Sequence, residues 1–244
     1  MKLKDKVAII TGGTLGIGEA IAKEFAKEGA QLIILGRNAD RGQAIASNLS
    51  ISCGVSCEFY QTDFNDSKSI VDTIKKIIEK YPKIDILVNN AGIATGGTVE
   101  SLSEEQWDEI FRVNVKAPFL LCKYIVPVMR KNGSGSIINI GSSAGLVGAW
   151  GLHAYSATKG AVIQLTKSMA SQYAKDKIRV NALCPGATKT PLLDKVDHEF
   201  IKMIPMQRMA DPSEIAKGAV YLASDDSSFM TGANLVIDGG FTAV

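Results

Sequence analysis

The stretch Val7-Ala8-Ile9-Ile10-Thr11-Gly12-Gly13-Thr14-Leu15-Gly16-Ile17-Gly18 decides how this chain is read. Four apolar residues form a short strand, glycines form a tight turn, and Ile17, Ala20, Ile21 and Phe25 then recur at helical spacing. A turn that ends a buried strand and opens a helix directs backbone N–H groups and the positive helix end into one crevice, usually toward a phosphate. With 23 glycines in 244 residues, a glycine triad alone could arise by chance. Its position between strand and helix, with a second strand ending near Leu35, points to dinucleotide binding. Gly12, Thr14, Leu15, Gly16, Ile17 and Gly18 are therefore candidate cofactor contacts.

Outward from this turn, short apolar runs alternate with amphipathic segments to the end of the chain. Strands are predicted at 7–10, 31–35, 56–61, 84–88, 136–140, 179–183 and 234–237, and helices at 16–28, 41–49, 67–80, 103–131, 154–174 and 212–223. Ser67 and Pro212 fall where helix starts favour a capping hydroxyl or a proline. The pattern predicts an α/β fold: a doubly wound, seven-stranded parallel sheet with helices on both faces, in a single domain over 1–244. The segment 190–209 breaks the alternation, mixing Leu192, Leu193, Val196, Phe200, Ile201, Met203 and Met206 with charges. A partly helical lid over a cleft is expected there.

Tyr155 and Lys159 are four residues apart, so on a helix they share a face. Ser142 lies thirteen residues before the tyrosine. A neighbouring ammonium is expected to favour phenolate and make the phenol more acidic. With a dinucleotide turn, this set implies hydride chemistry on a carbonyl or alcohol. Taken singly, each residue has an ordinary explanation: a core tyrosine, a solvated lysine, a capping serine.

Composition excludes several other classes. The 27 basic and 25 acidic residues give a net charge of +2, with no basic run longer than a pair, so no nucleic-acid footprint is expected. No stretch approaches the ~20 apolar residues of a membrane span, and the amino terminus lacks a signal-peptide pattern. Cys53, Cys57, Cys122 and Cys184 have no paired metal-ligand spacing, so free thiols, no metal and a cytoplasmic location are expected.

The turn reads T-G-x-x-x-G-x-G and is followed in order by Asn89-Asn90-Ala91-Gly92, Asn114, Ser142, Tyr155-x-x-x-Lys159, and Pro185-Gly186 with Thr188 and Thr190. In this the chain resembles the short-chain dehydrogenase/reductase family, with its single-domain Rossmann fold. The resemblance implies Asn114, Ser142, Tyr155 and Lys159 as catalytic residues: the phenol as acid and base, the serine on the substrate oxygen, the lysine on the nicotinamide ribose, and the asparagine on a water. It also implies Asp63 and Phe64 beside the adenine, Asn90, Ala91 and Gly92 beside the adjoining ribose, and Pro185, Gly186, Thr188 and Thr190 as further cofactor positions. At the end of the second strand, Gly36-Arg37 replaces the acidic residue that suits NAD, which favours NADP(H). Leu15 stands where some NADP-using relatives carry a second basic residue.

Ala144, Leu146, Val147, Trp150, His153, Leu192, Leu193 and Met206 are the candidate substrate walls, an apolar set that favours a ketone or secondary alcohol over a sugar. His153 has a second reading as a structural residue at a helix start. The turn, the run Gly36-Arg37-Asn38-Ala39-Asp40 and the ending Gly239-Gly240-Phe241-Thr242-Ala243 are similar to bacterial NADP-dependent secondary-alcohol dehydrogenases. Length and framework also suit a 3-oxoacyl-acyl-carrier-protein reductase, for which Arg130, Lys131, Lys175 and Lys177 would form a basic patch beside the cleft. A non-catalytic dinucleotide-binding module is the remaining alternative. Small residues on the catalytic helix, Ala157, Gly160, Ala161, Ser168, Ala170 and Ser171, suit close helix packing, and relatives are commonly homotetramers.

Overall fold

The computed structural model describes residues 1–193 and 198–243. Seven parallel strands form one sheet: β1 (Val7–Thr11), β2 (Gln31–Gly36), β3 (Cys57–Gln61), β4 (Ile86–Asn89), β5 (Gly135–Ile140), β6 (Ile178–Pro185) and β7 (Asn234–Ile237), in the order β3-β2-β1-β4-β5-β6-β7. Every residue of β1 is buried because both sheet faces are covered, which is why its sequence is continuously apolar instead of alternating. Ala8 and Ile10 pack with α1 (Gly16–Lys27) and α8 (Pro212–Ala223). Val7 and Ile9 face the opposite layer, which contains α3 (Ser67–Lys80), α5 (Ala117–Asn132) and α6 (His153–Tyr173). The chain reverses its winding between β1 and β4, and in open parallel sheets a crevice opens at the carboxyl ends of such strands.

The predicted elements are all present, with shifts at their ends. The second helix, α2 (Ala39–Cys53), is longer than the predicted 41–49 because Asn38 caps it by accepting from Arg41 N and Gly54 ends it at φ +67°. Ser67 is not a cap: Asp66 holds that position and accepts from Lys68 N, and the hydroxyl begins the first helical turn. Pro212 does begin α8, behind an Asp211–Glu214 capping box.

The long helix predicted over 103–131 is interrupted. It divides into α4 (Glu104–Phe111), a π-helical turn (Arg112–Lys116) and α5. Pro118 supplies the physical reason, since it has no N–H for the carbonyl of Asn114 and its ring would strike that carbonyl in regular α geometry. The wider turn relieves the clash and carries Asn114. In the segment proposed as a lid, Pro191–Leu193 form a 3-10 turn and α7 (His198–Lys202) is a short helix. Val196 lies outside the described residues.

Candidate active site

A cleft of about 470 Å³ opens at the carboxyl edge of the sheet over the β1–β4 crevice. Its floor is the glycine turn. Gly12 N donates to Leu35 O at 2.7 Å, and Gly12 and Gly16 take φ +63° and +57°, a region that only glycine enters without strain. Leu15 precedes α1 in extended backbone and offers no side-chain cap, which leaves the first amides of the helix directed at the cleft. Gly18 has a different role. A Cβ there would stand 2.2 Å from Gly12 O and 2.4 Å from Asn90 Nδ2, so this glycine allows helix, turn and the β4 loop to meet.

Gly12, Thr14, Leu15, Gly16, Ile17, Arg37, Asp63, Phe64, Asn90, Ala91, Gly92, Tyr155, Lys159 and Thr190 line the cleft as the sequence indicates. Gly18, Asn114, Ser142, Pro185, Gly186 and Thr188 do not line it. Thr188 is buried and its hydroxyl donates to Gly186 O at 3.0 Å. The Asn90 amide is engaged with the turn, reaching Thr11 O at 2.9 Å and Gly12 O at 3.3 Å. Wall residues that sequence reading missed include Asn38, Arg41, Asn65, Ile93 and Val113. Arg41 had a readable signal: it follows Arg37 by four residues and lies in the first turn of the helix that Asn38 caps. Among the described residues, neither arginine has a carboxylate within ion-pair distance, so both guanidiniums are available to an anion.

Tyr155 and Lys159 line the other end of the cleft, while Asn114 and Ser142 are buried beside it. Asn114 is clamped by its side chain: Oδ1 accepts from Ile93 N at 2.9 Å, and Nδ2 donates to Ile93 O at 2.9 Å and to Thr158 Oγ1 at 3.1 Å. Lys159 is 5% exposed, its Nζ donates to Ile140 O at 2.7 Å, and it stands 5.5 Å from the Tyr155 ring centroid. Ser142 caps the 3-10 turn Ser143–Gly145 by accepting from Ala144 N at 3.1 Å. A Cβ at Gly92 would lie 3.3 Å from Asn114 Oδ1 and 3.7 Å from Lys159 Nζ, so this loop meets the site without a side chain.

The expected acidification of Tyr155 by Lys159 is corrected by this geometry. Burial raises the pKa of the phenol, and hydrogen bonding to Ser142 offsets only part of that rise. Burial also brings the Lys159 ammonium down to about 8. Both groups are desolvated together, and desolvation disfavours the charged form of each.

Of the predicted substrate walls only Leu192 lines the cleft. Ala144 is buried, while Leu146, Val147, Trp150 and Met206 are exposed outside its wall. His153 Nδ1 pairs with Gly97 O at 3.0 Å, which supports its structural reading at the start of α6. The proposed basic patch is displaced as well. Arg130 and Lys131 end α5, and Lys175 and Lys177 follow α6, at the amino edge of the sheet. The run of α6 from Tyr155 to Tyr173 separates them from the phenol by roughly 27 Å at 1.5 Å per residue. Within one chain the patch does not flank the cleft, and Arg130 is paired with Asp176 at 2.9 Å.

A parallel sheet with a phosphate-binding turn at one end of its crevice and a Ser, Tyr and Lys set at the other defines a dinucleotide-dependent oxidoreductase. Residues 12–242 match the family model described as Enoyl-(Acyl carrier protein) reductase. The chain belongs to the short-chain dehydrogenase/reductase family. It is 38% identical to 3-oxoacyl-[acyl-carrier-protein] reductase FabG of Chlamydia pneumoniae, covering 98% of each chain. It is 40% identical to oxidoreductase UcpA of Escherichia coli K12, over 99% of this chain and 96% of that one. Among solved structures, a putative NAD(P)-dependent gluconate 5-dehydrogenase from Beutenbergia cavernae with bound NADP superposes at a TM-score of 0.95, with 34% identity, over 100% of this chain and 99% of that one. No helix among the described residues is long and apolar enough to cross a membrane.

Proposed function

We propose that this oxidoreductase uses NADP(H) to interconvert an apolar ketone and a secondary alcohol. The observation that carries the reading is the single cleft joining Arg37 and Arg41 at one end to Tyr155 and Lys159 at the other. The two guanidiniums suit a 2′-phosphate, which accepts paired hydrogen bonds. The turn amides suit the pyrophosphate, Asp63 and Phe64 the adenine, and Lys159 the nicotinamide ribose. When bound, the nicotinamide supplies or accepts the hydride.

Tyr155 gives its phenolic proton to the substrate oxygen on reduction and recovers it on oxidation. Its raised pKa keeps that proton in place at neutral pH. Ser142 donates to the same oxygen as negative charge builds there, an interaction stronger in the transition state than in the ground state. The Asn114 side chain is held by Ile93 and Thr158, and its main-chain carbonyl, for which Pro118 has no N–H, is the atom assigned to hold a water between Lys159 and solvent. The stretch 190–209, whose ends are pinned by the Thr188–Ala210 bridge, acts as a lid. The reading carries with it a cytoplasmic, homotetrameric enzyme of one domain.

Tyr155→Phe is expected to abolish turnover of a carbonyl panel while leaving NADPH affinity within about twofold; substantial remaining activity sinks the assignment. Arg37→Asp and Arg41→Asp should each lower the ratio of NADPH to NADH efficiency by about tenfold, the scale of a charge-assisted pair. An unmoved ratio in both would refute the NADP reading. A second reading, reduction of a 3-oxoacyl thioester on acyl carrier protein, is favoured by the whole-length similarity to FabG. Turnover of acetophenone against an acetoacetyl thioester with NADPH separates the two. Loss of all activity across the panel would favour a non-catalytic binding module instead.

A further inference from the structure

Helix α6 is attached to its neighbours by the same side-chain device twice. Thr158 Oγ1 donates to Tyr155 O at 2.7 Å in its own helix and accepts from Asn114 Nδ2 of the π-helical turn at 3.1 Å. Thr166 Oγ1 donates to Val162 O at 2.9 Å and accepts from Asn139 Nδ2 of β5 at 2.8 Å. The second link continues across the sheet, because Asn89 is the register partner of Asn139 and donates to its Oδ1 at 2.8 Å. Both threonines have no exposed surface.

Eight residues separate the two hydroxyls, which places them about 80° apart around the helix and about 12 Å apart along its axis. One attachment would leave a helix free to pivot, whereas two at that separation fix both its rotation and its axial position. Apart from Lys159 and Met169, the remaining buried residues of α6 are the aliphatic Ala154, Val162, Ile163 and Ala170, whose packing defines register less sharply than a hydrogen bond does. A satisfied polar pair in an apolar layer admits one arrangement, since any slip would strand a buried amide. The links also lie beside the reacting groups. Thr158 bonds the carbonyl of Tyr155, and Ile140, next to Asn139, accepts from Lys159 Nζ.

We propose that Thr158 and Thr166 are positioning residues that peg the catalytic helix against the π-helical turn and β5, and so set the reach of Tyr155 and Lys159 into the cleft. The consequence for catalysis rests on the proposed roles of Tyr155 and Lys159, and the geometric claim does not. Thr166→Val keeps the side-chain volume and removes the hydroxyl, while Thr166→Ser restores it.

Three readouts are compared in the full-length chain: kcat and its pH profile, NADPH affinity by fluorescence titration, and amide hydrogen exchange over residues 153–160. Thr166→Val is expected to lower kcat by about tenfold or more, as small misplacements of reacting groups do. It should shift the pH profile, leave NADPH affinity within about twofold and speed exchange at the start of α6. Thr166→Ser should return all of these toward wild type. A lower melting temperature with unchanged kcat, pH profile and exchange would show a merely structural threonine and overturn the proposal. Thr158→Val provides the same comparison if Thr166→Val does not fold. If Tyr155→Phe proves active, the catalytic reading fails by itself, and hydrogen exchange still decides whether the pegs fix the helix.

Discussion

At the scale of single residues, burial decides the behaviour of the site more than pairing does. Lys159 sits in an apolar wall with one carbonyl partner, and desolvation takes it from 10.5 to about 8. Such a drop corresponds to about 3 kcal/mol of folding free energy spent at neutral pH. The sign follows from proton counts: between pH 8 and 10.5 the unfolded chain binds the proton that the folded chain has released, so stability rises with pH in that window. Lys159→Met is therefore expected to raise the midpoint of urea unfolding at pH 7, with the advantage over wild type shrinking between pH 8 and pH 10. A constant difference, or a destabilised variant, would contradict the buried-cation account. The i, i+4 spacing of Tyr155 and Lys159 was legible in the sequence because helical geometry is local. Their shared desolvation was not, since it depends on Ile140, Ser142 and other residues brought in by separate elements. Arg41 was missed for a smaller reason: its role depends on exactly where α2 begins, and helix ends are the least defined part of a sequence reading.

At the scale of elements, periodicity located the seven strands and the helices that flank them but not α7, and the largest error falls where one residue overrides a pattern. The stretch 103–131 is helical throughout its apolar spacing, yet Pro118 forces the wide turn that presents Asn114 to Ile93. Pro118→Ala should allow a regular helix, turning Asn114 away from the loop. Turnover is expected to fall at least tenfold with the melting temperature unchanged or higher, because the substitution removes a conflict instead of a contact. Full activity with a retained π-helical turn would show that packing, and not the proline, shapes it. The glycine turn makes the converse point. Gly18 reads as part of a phosphate-binding motif but serves the approach of α1 to Gly12 and Asn90. Gly18→Ala should cost about 2 kcal/mol in urea unfolding through overpacking, whether or not cofactor is present.

At the scale of the whole molecule, the parallel sheet could be inferred from alternating elements, but the strand order that creates the crevice could not, because it is set by which helices cross to which face. Assembly is less legible still. The small-residue stripe on α6 is only partly a surface: Ala157, Ser168 and Ser171 are exposed, whereas Ala170 is buried in the core against Gly232. Larger exposed apolar groups lie in several other places, Trp150 among them, and two of these places bear on assembly. Trp107 and Phe119 belong to α4 and α5, while Phe229 precedes β7 and Val236 lies within it, at the edge of the sheet. Exposed apolar groups mark association faces where they form contiguous patches, and a tetramer of dihedral symmetry needs two distinct isologous interfaces. Two separate faces therefore fit the proposed homotetramer better than one dimer contact would. Sedimentation velocity at micromolar concentration is expected to show a tetramer for the natural chain, a dimer for Phe229→Asp, and a monomer when Phe119→Asp is added. A monomeric natural chain, or a Phe229→Asp variant of undiminished mass, would mean that these side chains are solvent-facing for another reason.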